Sequence, residues 1–339
     1  MNYSKRVYGL DIYRAVAILI VVFEHGKIVS GNLFDKLPSI PIIDGVELFF
    51  VLSGFLIGSI LIKTLEKEEG FNFSTLTSFW KRRWFRTLPN YYLILLLNFL
   101  LVYYNITNGD IKKCDFKFLL FLQNFYKGFV DFFWESWSLS IEEWFYISLP
   151  ILMLFFLLFF SKRKTMLITI GLLITFPLIY RISISETTVD YFWWDVNFRK
   201  VVLTRLDAII YGVLAAYIKL YHPVFWTKSR NWAFILGLLI IYFNIFIPKE
   251  PNDFYTKTFS FSVTSLGAML LLAKADSLKS FKISALGKFL TYISVISYSM
   301  YLVNLGLVAQ VIDKNFPPQT KIENAYMYII YCASTLIIS

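Results

Sequence analysis

Long apolar runs alternate with short segments that carry most of the charge. An α-helix needs roughly 20 apolar residues to cross the hydrocarbon core of a bilayer. Ten segments meet or approach this length, which predicts an all-α polytopic membrane protein with about ten transmembrane helices. The predicted spans are Leu10–Val29, Ile42–Ile62, Pro89–Asn105, Ile141–Phe160, Thr165–Arg181, Leu203–Lys219, Asn231–Ile247, Thr258–Ala273, Phe289–Ala309 and Ala325–Ser339.

The charged segments predict an orientation. With the N-terminus in the cytoplasm, basic clusters such as Lys81–Arg86 and Lys162–Lys164 fall on the cytoplasmic side. Lys and Arg concentrate on that side of membrane proteins. We therefore expect both termini to be cytoplasmic. The last span is short and ends at Ser339 within an apolar run, so we expect it to be cut within a helix.

One segment between predicted spans, Ile106–Ser140, is long. It contains the apolar stretch Phe116–Phe125, which is too short to span and is expected to lie in the interface or to re-enter the membrane. No tandem repeat or low-complexity tract divides the chain. We therefore predict a single transmembrane domain over residues 1–339.

Composition agrees with this class, since 57% of the residues are hydrophobic and 17% are charged. A soluble domain has about a quarter of its residues charged. The net charge of +10 would suggest a nucleic-acid partner in a soluble protein. Here the basic residues flank apolar spans, and no nucleic-acid partner is predicted. Cys114 and Cys332 lack the spacing of a zinc site, and no metal is predicted.

Two polar residues of the first span, Arg14 and His25, are candidates for chemistry. They are eleven residues apart, which puts them on one helix face with about 16 Å between them along the axis. Charged groups inside a membrane are costly and commonly functional. The alternatives are a histidine at the interface and an arginine that reaches lipid phosphate.

A second candidate is the basic segment Lys81–Arg86, which we expect to lie on the cytoplasmic side just before a span. Its Arg82, Arg83 and Arg86 could bind phosphate groups bidentately. From charge alone, contact with anionic membrane lipid is the favoured explanation.

A third candidate is the run Trp137–Tyr146, where Glu142 and Glu143 open an apolar helix. Acidic residues are favourable at a helix N-terminus without any further role. The predicted topology nevertheless places them at about the depth of His25. A carboxylate beside an imidazole fixes its tautomer and stabilises its protonated form, as in a general base.

Two further segments carry polar residues within apolar runs. Asp207 needs a partner from another span, because Arg205 is too close in sequence to face it on a helix. Glu47 lies near the outer end of the second span and is expected to reach water. The small residues that follow it predict close helix packing. They are Ser53, Gly54 and Gly58. His222, which precedes Pro223, is interpreted as a surface histidine.

Taken in order, these elements resemble acyltransferase family 3, the membrane-bound O-acyltransferases of bacterial surface glycans. The resemblance covers about residues 8–309. Glu142, rather than Glu143, matches the acid of the family's Trp-Ser-Leu-Ser-Val-Glu motif. The family commonly ends its last block with His, where this chain has Asn304. The matching elements are Arg14 with His25, Gly45–Ile57, Arg82 with Arg83 and Arg86, Trp137–Tyr146, Arg205–Gly212 and Ile296–Asn304.

The resemblance implies transfer of an acyl group, most often acetyl, from cytoplasmic acyl-CoA to a hydroxyl of a glycan or glycolipid. It also implies a multi-pass protein of the bacterial cytoplasmic membrane. The basic segment and Arg14 would then bind acetyl-CoA, and His25 would act as general base with Glu142 orienting it. An acyl-histidine intermediate is an alternative route.

Two other classes of protein fit the same pattern. Buried Arg, His, Glu and Asp among ten spans also suit a proton-coupled transporter of a small solute, although no inverted repeat is evident. A non-catalytic assembly or lipid-binding protein is the other alternative. Trp and Tyr residues of the outer segments could stack on sugars, but interfacial anchoring is the favoured explanation.

Overall fold

The computed structural model describes residues 7–31, 43–67, 71–129, 131–279, 285–317 and 320–339. Within these ranges the protein is helical and contains no strand. The α-helices are α1 Tyr8–Ser30, α2 Gly45–Leu65, α3 Phe73–Tyr103, α4 Ser136–Leu157, α5 Lys162–Ser183, α6 Tyr191–Trp194, α7 Val202–Tyr221, α8 Pro223–Phe246, α9 Phe254–Lys257, α10 Phe259–Ser277, α11 Ala285–Val303, α12 Gln310–Asn315 and α13 Lys321–Ile338. Two π-helical segments, Asp195–Arg199 and Asn304–Ala309, interrupt this series.

Six helices in the described ranges are long and apolar enough to cross a membrane. A seventh span is formed if α7 is counted with Tyr191–Arg199, to which it is joined at a bend of 62°. The all-α class is confirmed, whereas the predicted number of ten spans is not. Each predicted span overlaps a helix, although several extend past the helix ends by a few residues, and Ile42 lies outside the described residues.

The third span differs most from its prediction. The sequence predicted a helix from Pro89 and placed the basic segment before it, but α3 starts at Phe73 and includes that segment. A capping box formed by Asn72 and Thr75 begins the helix well before the apolar run. With 31 residues, α3 is about 46 Å long and exceeds the thickness of the bilayer core.

Helices α2 and α7 pack with their backbones nearly in contact. A Cβ atom added to Gly54 would lie 1.8 Å from the carbonyl oxygen of Ile209, and one added to Gly212 would lie 2.0 Å from that of Val51. Glycine is therefore the residue that permits this approach, as small residues do in other helix pairs within membranes. The packing predicted from the small residues of α2 is confirmed.

Buried ion pairs join α7 to its neighbours. Asp207 forms a bidentate pair with Arg181 of α5, at 3.0 and 2.8 Å, and both side chains are at most 1% exposed. The predicted partner from another helix is thus found. Arg205 binds Glu47 of α2, so Glu47 is buried and paired rather than in contact with water. The two ion pairs thus connect α7 to α5 and to α2 in the protein interior.

We name the end of the bundle where α1 begins the inner end, and the opposite end the outer end. The segment between α3 and α4 folds back from the outer end along α3. Its carbonyl groups at Phe118 and Leu119 accept hydrogen bonds from Tyr91 and Tyr92, at 2.8 and 2.9 Å. Tyr91 is twelve residues before Tyr103, or about 18 Å below the end of α3. The apolar stretch therefore re-enters the bundle, in agreement with one of the predicted placements.

Candidate active site

His25 lies in the outer part of α1 and is half-buried. Its Nδ1 atom is 2.5 Å from Oδ1 of Asn304. Among the described residues, Nε2 has no hydrogen-bond partner. The imidazole is thus held at Nδ1 by a side chain from a distant part of the chain. Asn304, which the sequence marked only as a departure from the family pattern, is the direct partner of His25.

Asn304 begins the π-helical segment that follows α11. Segments of this kind are frequent at functional sites, because the irregular turn leaves backbone groups for other partners. Three such groups are used here. Nδ2 of Asn304 donates to the carbonyl oxygens of Met300 and Tyr301, at 2.7 and 2.8 Å. The backbone N–H of Gly306 donates to Glu135, which immediately precedes α4.

A cluster of charges lies near His25 at the outer end. Asp44, the N-cap residue of α2, pairs with Arg199, which also binds Asp195 at 2.6 Å. Burial opposes ionisation of Asp44, but the Arg199 guanidinium holds its pKa below the ordinary value. Asp44 therefore stays ionised at neutral pH, and its charge is balanced by that of Arg199. The guanidinium also lies over the ring of Trp137, 5.0 Å from its centroid.

Glu142 is not the partner of His25 that the sequence predicted. It accepts hydrogen bonds from Arg83 of α3 at 3.1 Å and from the Tyr146 hydroxyl at 3.0 Å. Ser138 of α4 bonds Tyr301, which precedes Asn304 by about one helical turn, at 2.6 Å. Glu142 lies one helical turn further along α4, or about 6 Å deeper. Because the connecting segment re-enters, α4 begins inside the bundle, and every position on it is displaced toward the inner end.

The Trp137–Tyr146 run instead ties α4 to its surroundings. Ser140 accepts a hydrogen bond from Gln123 of the re-entrant segment at 2.6 Å. Glu143 accepts from Trp84 at 3.0 Å, and Tyr146 bonds Ser53 of α2. The motif could be found from sequence because it combines polar residues with an apolar helix. Its partners could not, because they come from four separate elements.

The three arginines of the basic segment have different environments. Arg83 faces the protein, where its guanidinium lies over the Tyr146 ring at 3.5 Å and bonds Glu142. Arg82 and Arg86 are exposed and lie one turn apart on the same face of α3. Arg14 is half-buried on α1. The surface of α3 thus presents two guanidinium groups to anions, not three.

Comparison with known proteins gives the same family as the sequence motifs. The acyltransferase domain Acyl_transf_3 matches residues 7–339. The O-acetyltransferase OatA of Staphylococcus aureus strain NCTC 8325 / PS 47 is 27% identical over 358 residues, which is 97% of this chain and 54% of that protein. The protein SACOL0978 of strain COL is 26% identical over 378 residues, with 99% and 56% covered.

The chain spans about half the length of the curated relatives it matches. No solved structure matches it. The family match nevertheless extends over nearly the whole chain and includes every element described above. The chain therefore belongs to acyltransferase family 3.

Proposed function

We propose that the protein is an O-acetyltransferase that transfers an acetyl group from cytoplasmic acetyl-CoA to a hydroxyl of a cell-surface glycan or lipid-linked glycan. The observation that carries the proposal is the His25 ring, which is held through Nδ1 and whose Nε2 bonds to none of the described residues, in a chain of an acyltransferase family. The names of the two relatives, both of which contain O-acetyltransferase, support the acetyl group and the oxygen acceptor. The protein would act in the bacterial cytoplasmic membrane.

Exposed groups on α3 suit the phosphates of the donor. Arg82 and Arg86 have side chains roughly 6 Å apart at their bases, and guanidinium groups bind phosphate through paired hydrogen bonds. Arg14, on the inner part of α1, would contribute a third positive charge closer to His25. The donor supplies an activated thioester, and its long arm allows the reacting carbon to reach the interior from the inner end.

His25 would take the proton from the acceptor hydroxyl at Nε2. A positioned general base contributes about 10²–10⁴-fold to such a reaction. Glu142 has a different role in this scheme from the one predicted. Through Arg83 it joins α4 to α3, and so it would keep the donor-binding surface in a fixed position relative to the acceptor side.

The test is transfer of radiolabelled acetyl from acetyl-CoA to polysaccharide in bacterial envelopes that contain the wild-type chain or His25→Ala. His222→Ala is the matched control, because His222 is the other histidine of the chain and is exposed. We expect label with the wild type and the control, and a loss of at least about 100-fold with His25→Ala at equal protein level.

Two results would contradict the proposal. Full labelling by His25→Ala would remove His25 from the chemistry. No labelling by the folded wild-type chain in envelopes rich in surface polysaccharide would exclude this reaction and favour the transporter alternative.

A further inference from the structure

The orientation of the Asn304 side-chain amide is determined by its surroundings. Its NH₂ group points to the carbonyl oxygens of Met300 and Tyr301, and both of these can only accept hydrogen bonds. Turning the amide over would place its oxygen against those two oxygens. The amide oxygen must therefore face His25, although amide oxygen and nitrogen are otherwise hard to distinguish.

This orientation decides which nitrogen of His25 carries the proton. Because Oδ1 of Asn304 is an acceptor, the Nδ1 atom 2.5 Å away must be the donor. A neutral imidazole carries one proton, so Nε2 is left with a free lone pair. Free histidine in water prefers the opposite tautomer, with the proton on Nε2. The contact with Asn304 therefore acts against the intrinsic preference of the ring.

Neighbouring groups hold Asn304 in position. Glu135 binds the backbone of Gly306, two residues further along the π-helical segment, at 3.1 Å. Tyr331 of α13 donates to the carbonyl oxygen of Val22 at 3.0 Å, and its hydroxyl also lies 3.4 Å from Oδ1 of Asn304. Asn304 is fully buried. These contacts connect α1, α13 and the residue that precedes α4 near His25.

We infer that Asn304 is a positioning residue that fixes His25 in the tautomer protonated on Nδ1 and so keeps Nε2 available to receive a proton. The inference rests on the proposed function for its purpose, but the tautomer is measurable without any assay of activity. An amide achieves this without a charge, unlike the carboxylate that usually orients such a histidine. Asn304 thus performs the orienting role predicted for Glu142.

The test is nitrogen NMR of the full chain in lipid nanodiscs with ¹⁵N-labelled histidine. In a His222→Gln background His25 is the only histidine, since the sequence contains two. At a pH where the ring is neutral, we expect a protonated Nδ1 and an unprotonated Nε2. A ring protonated on Nε2 in this otherwise unmodified protein would overturn the inference by itself.

Two variants of Asn304 separate positioning from structural support. Asn304→Asp, with the proton of its carboxyl group directed at the Met300 and Tyr301 carbonyl oxygens, keeps an acceptor at the ring and should keep the proton on Nδ1. Asn304→Leu removes the acceptor and should return the ring proton to Nε2. Asn304→Leu should also lower kcat by about tenfold or more with little change in KM. Identical spectra for the two variants would contradict the inference.

A distant buried amide provides the control. Asn244 of α8 is 2% exposed and donates to the Ser260 carbonyl oxygen at 3.1 Å. Asn244→Leu removes a buried amide just as Asn304→Leu does, but far from His25 in the sequence, and we expect the nitrogen spectrum of His25 to stay unchanged. If the folded protein shows the expected tautomer but transfers no acetyl group, the inference about Asn304 holds and the proposed function is contradicted.

Discussion

Residues of the same type have different roles in this protein according to the face of the helix they occupy. Arg82, Arg83 and Arg86 lie within five positions of α3, yet only Arg83 turns inward to Glu142. At 3.6 residues per turn, adjacent positions are separated by about 100° around the axis. Each arginine side chain of this segment therefore points either to the protein interior or to the surface, where it can bind an anion.

Substitution of these arginines should separate the two roles. We expect Arg82→Gln and Arg86→Gln each to raise KM for acetyl-CoA about tenfold with kcat nearly unchanged, because a charge-assisted hydrogen bond to phosphate contributes about 1–3 kcal/mol. Arg83→Gln should instead reduce the yield of folded protein, since it leaves the Glu142 carboxylate without its cation. Steady-state kinetics and size-exclusion profiles of each variant would measure these effects. A KM increase confined to Arg83→Gln would contradict the assignment.

Sequence spacing was sufficient to predict candidates at this scale but not their partners. Arg14 and His25 could be placed on one face because helical periodicity is a local property. The partner of His25 could not be predicted, because Asn304 is 279 positions away and an uncharged amide inside a membrane carries little signal. Glu142 was placed at the wrong depth because the prediction assumed that α4 begins at the membrane surface.

At the scale of the helix, glycine determines how closely α2 and α7 approach. The carbonyl oxygens of Ile209 and Val51 occupy the positions where side chains would begin at Gly54 and Gly212. The pair Arg205 and Glu47 joins the same two helices. Backbone contact and a buried ion pair thus hold the same two helices together.

Methyl groups at these glycines should force the helices apart. We expect Gly54→Ala or Gly212→Ala to lower the melting temperature in detergent by several degrees, since the clash is with backbone and cannot be relieved by a rotamer change. Gly171→Ala is the control, because a Cβ at Gly171 of α5 meets nothing within 4 Å. That control should be neutral or stabilising by up to about 1 kcal/mol, from the higher helix propensity of alanine. Equal melting temperatures for all three variants would contradict the packing argument.

Helix bounds were less predictable than helix existence. Hydropathy finds only the part of a helix that contacts lipid, so the polar first half of α3 was assigned to a loop. The capping box at Asn72 and Thr75 was the available signal for its true start. The π-helical segment after α11 had no such signal, because its apolar sequence is also compatible with a regular helix.

For the whole molecule, the orientation in the membrane stays a prediction. The basic segments near α3 and α8 favour the inner end as the cytoplasmic one. The re-entrant segment and the Asp44–Arg199 cluster then lie toward the outside, and the exposed Arg82 and Arg86 lie toward the cytoplasm. This arrangement would place the donor and the acceptor on opposite sides of one site.

Cysteine labelling in intact cells would measure the orientation. In a chain with Cys114 and Cys332 replaced by serine, we expect a membrane-impermeant maleimide to label Lys112→Cys in intact cells, but Lys228→Cys only after permeabilisation. Both positions are exposed. Burial and, to a smaller extent, Asp115 raise the pKa of the Cys114 thiol and so slow its reaction with maleimide. Cys114 is nevertheless replaced, so that all labelling comes from the introduced cysteine. The reverse labelling pattern would show that the N-terminus is outside.

The buried ion pairs also affect the order in which the helices assemble during membrane insertion. Helices enter the membrane in the order of synthesis, and a charged residue costs up to about 2.5–3.5 kcal/mol on insertion at the helix centre and less near a helix end, where Glu47 and Arg181 lie. Arg181 meets Asp207 after only 26 further residues, whereas Glu47 must wait 158 residues for Arg205. Helix α2, with a mean hydropathy of 2.2, is apolar enough to insert despite its unpaired acid. We therefore expect α2 to stay laterally mobile beside the translocon until α7 arrives, so that the N-terminal helices complete their assembly late.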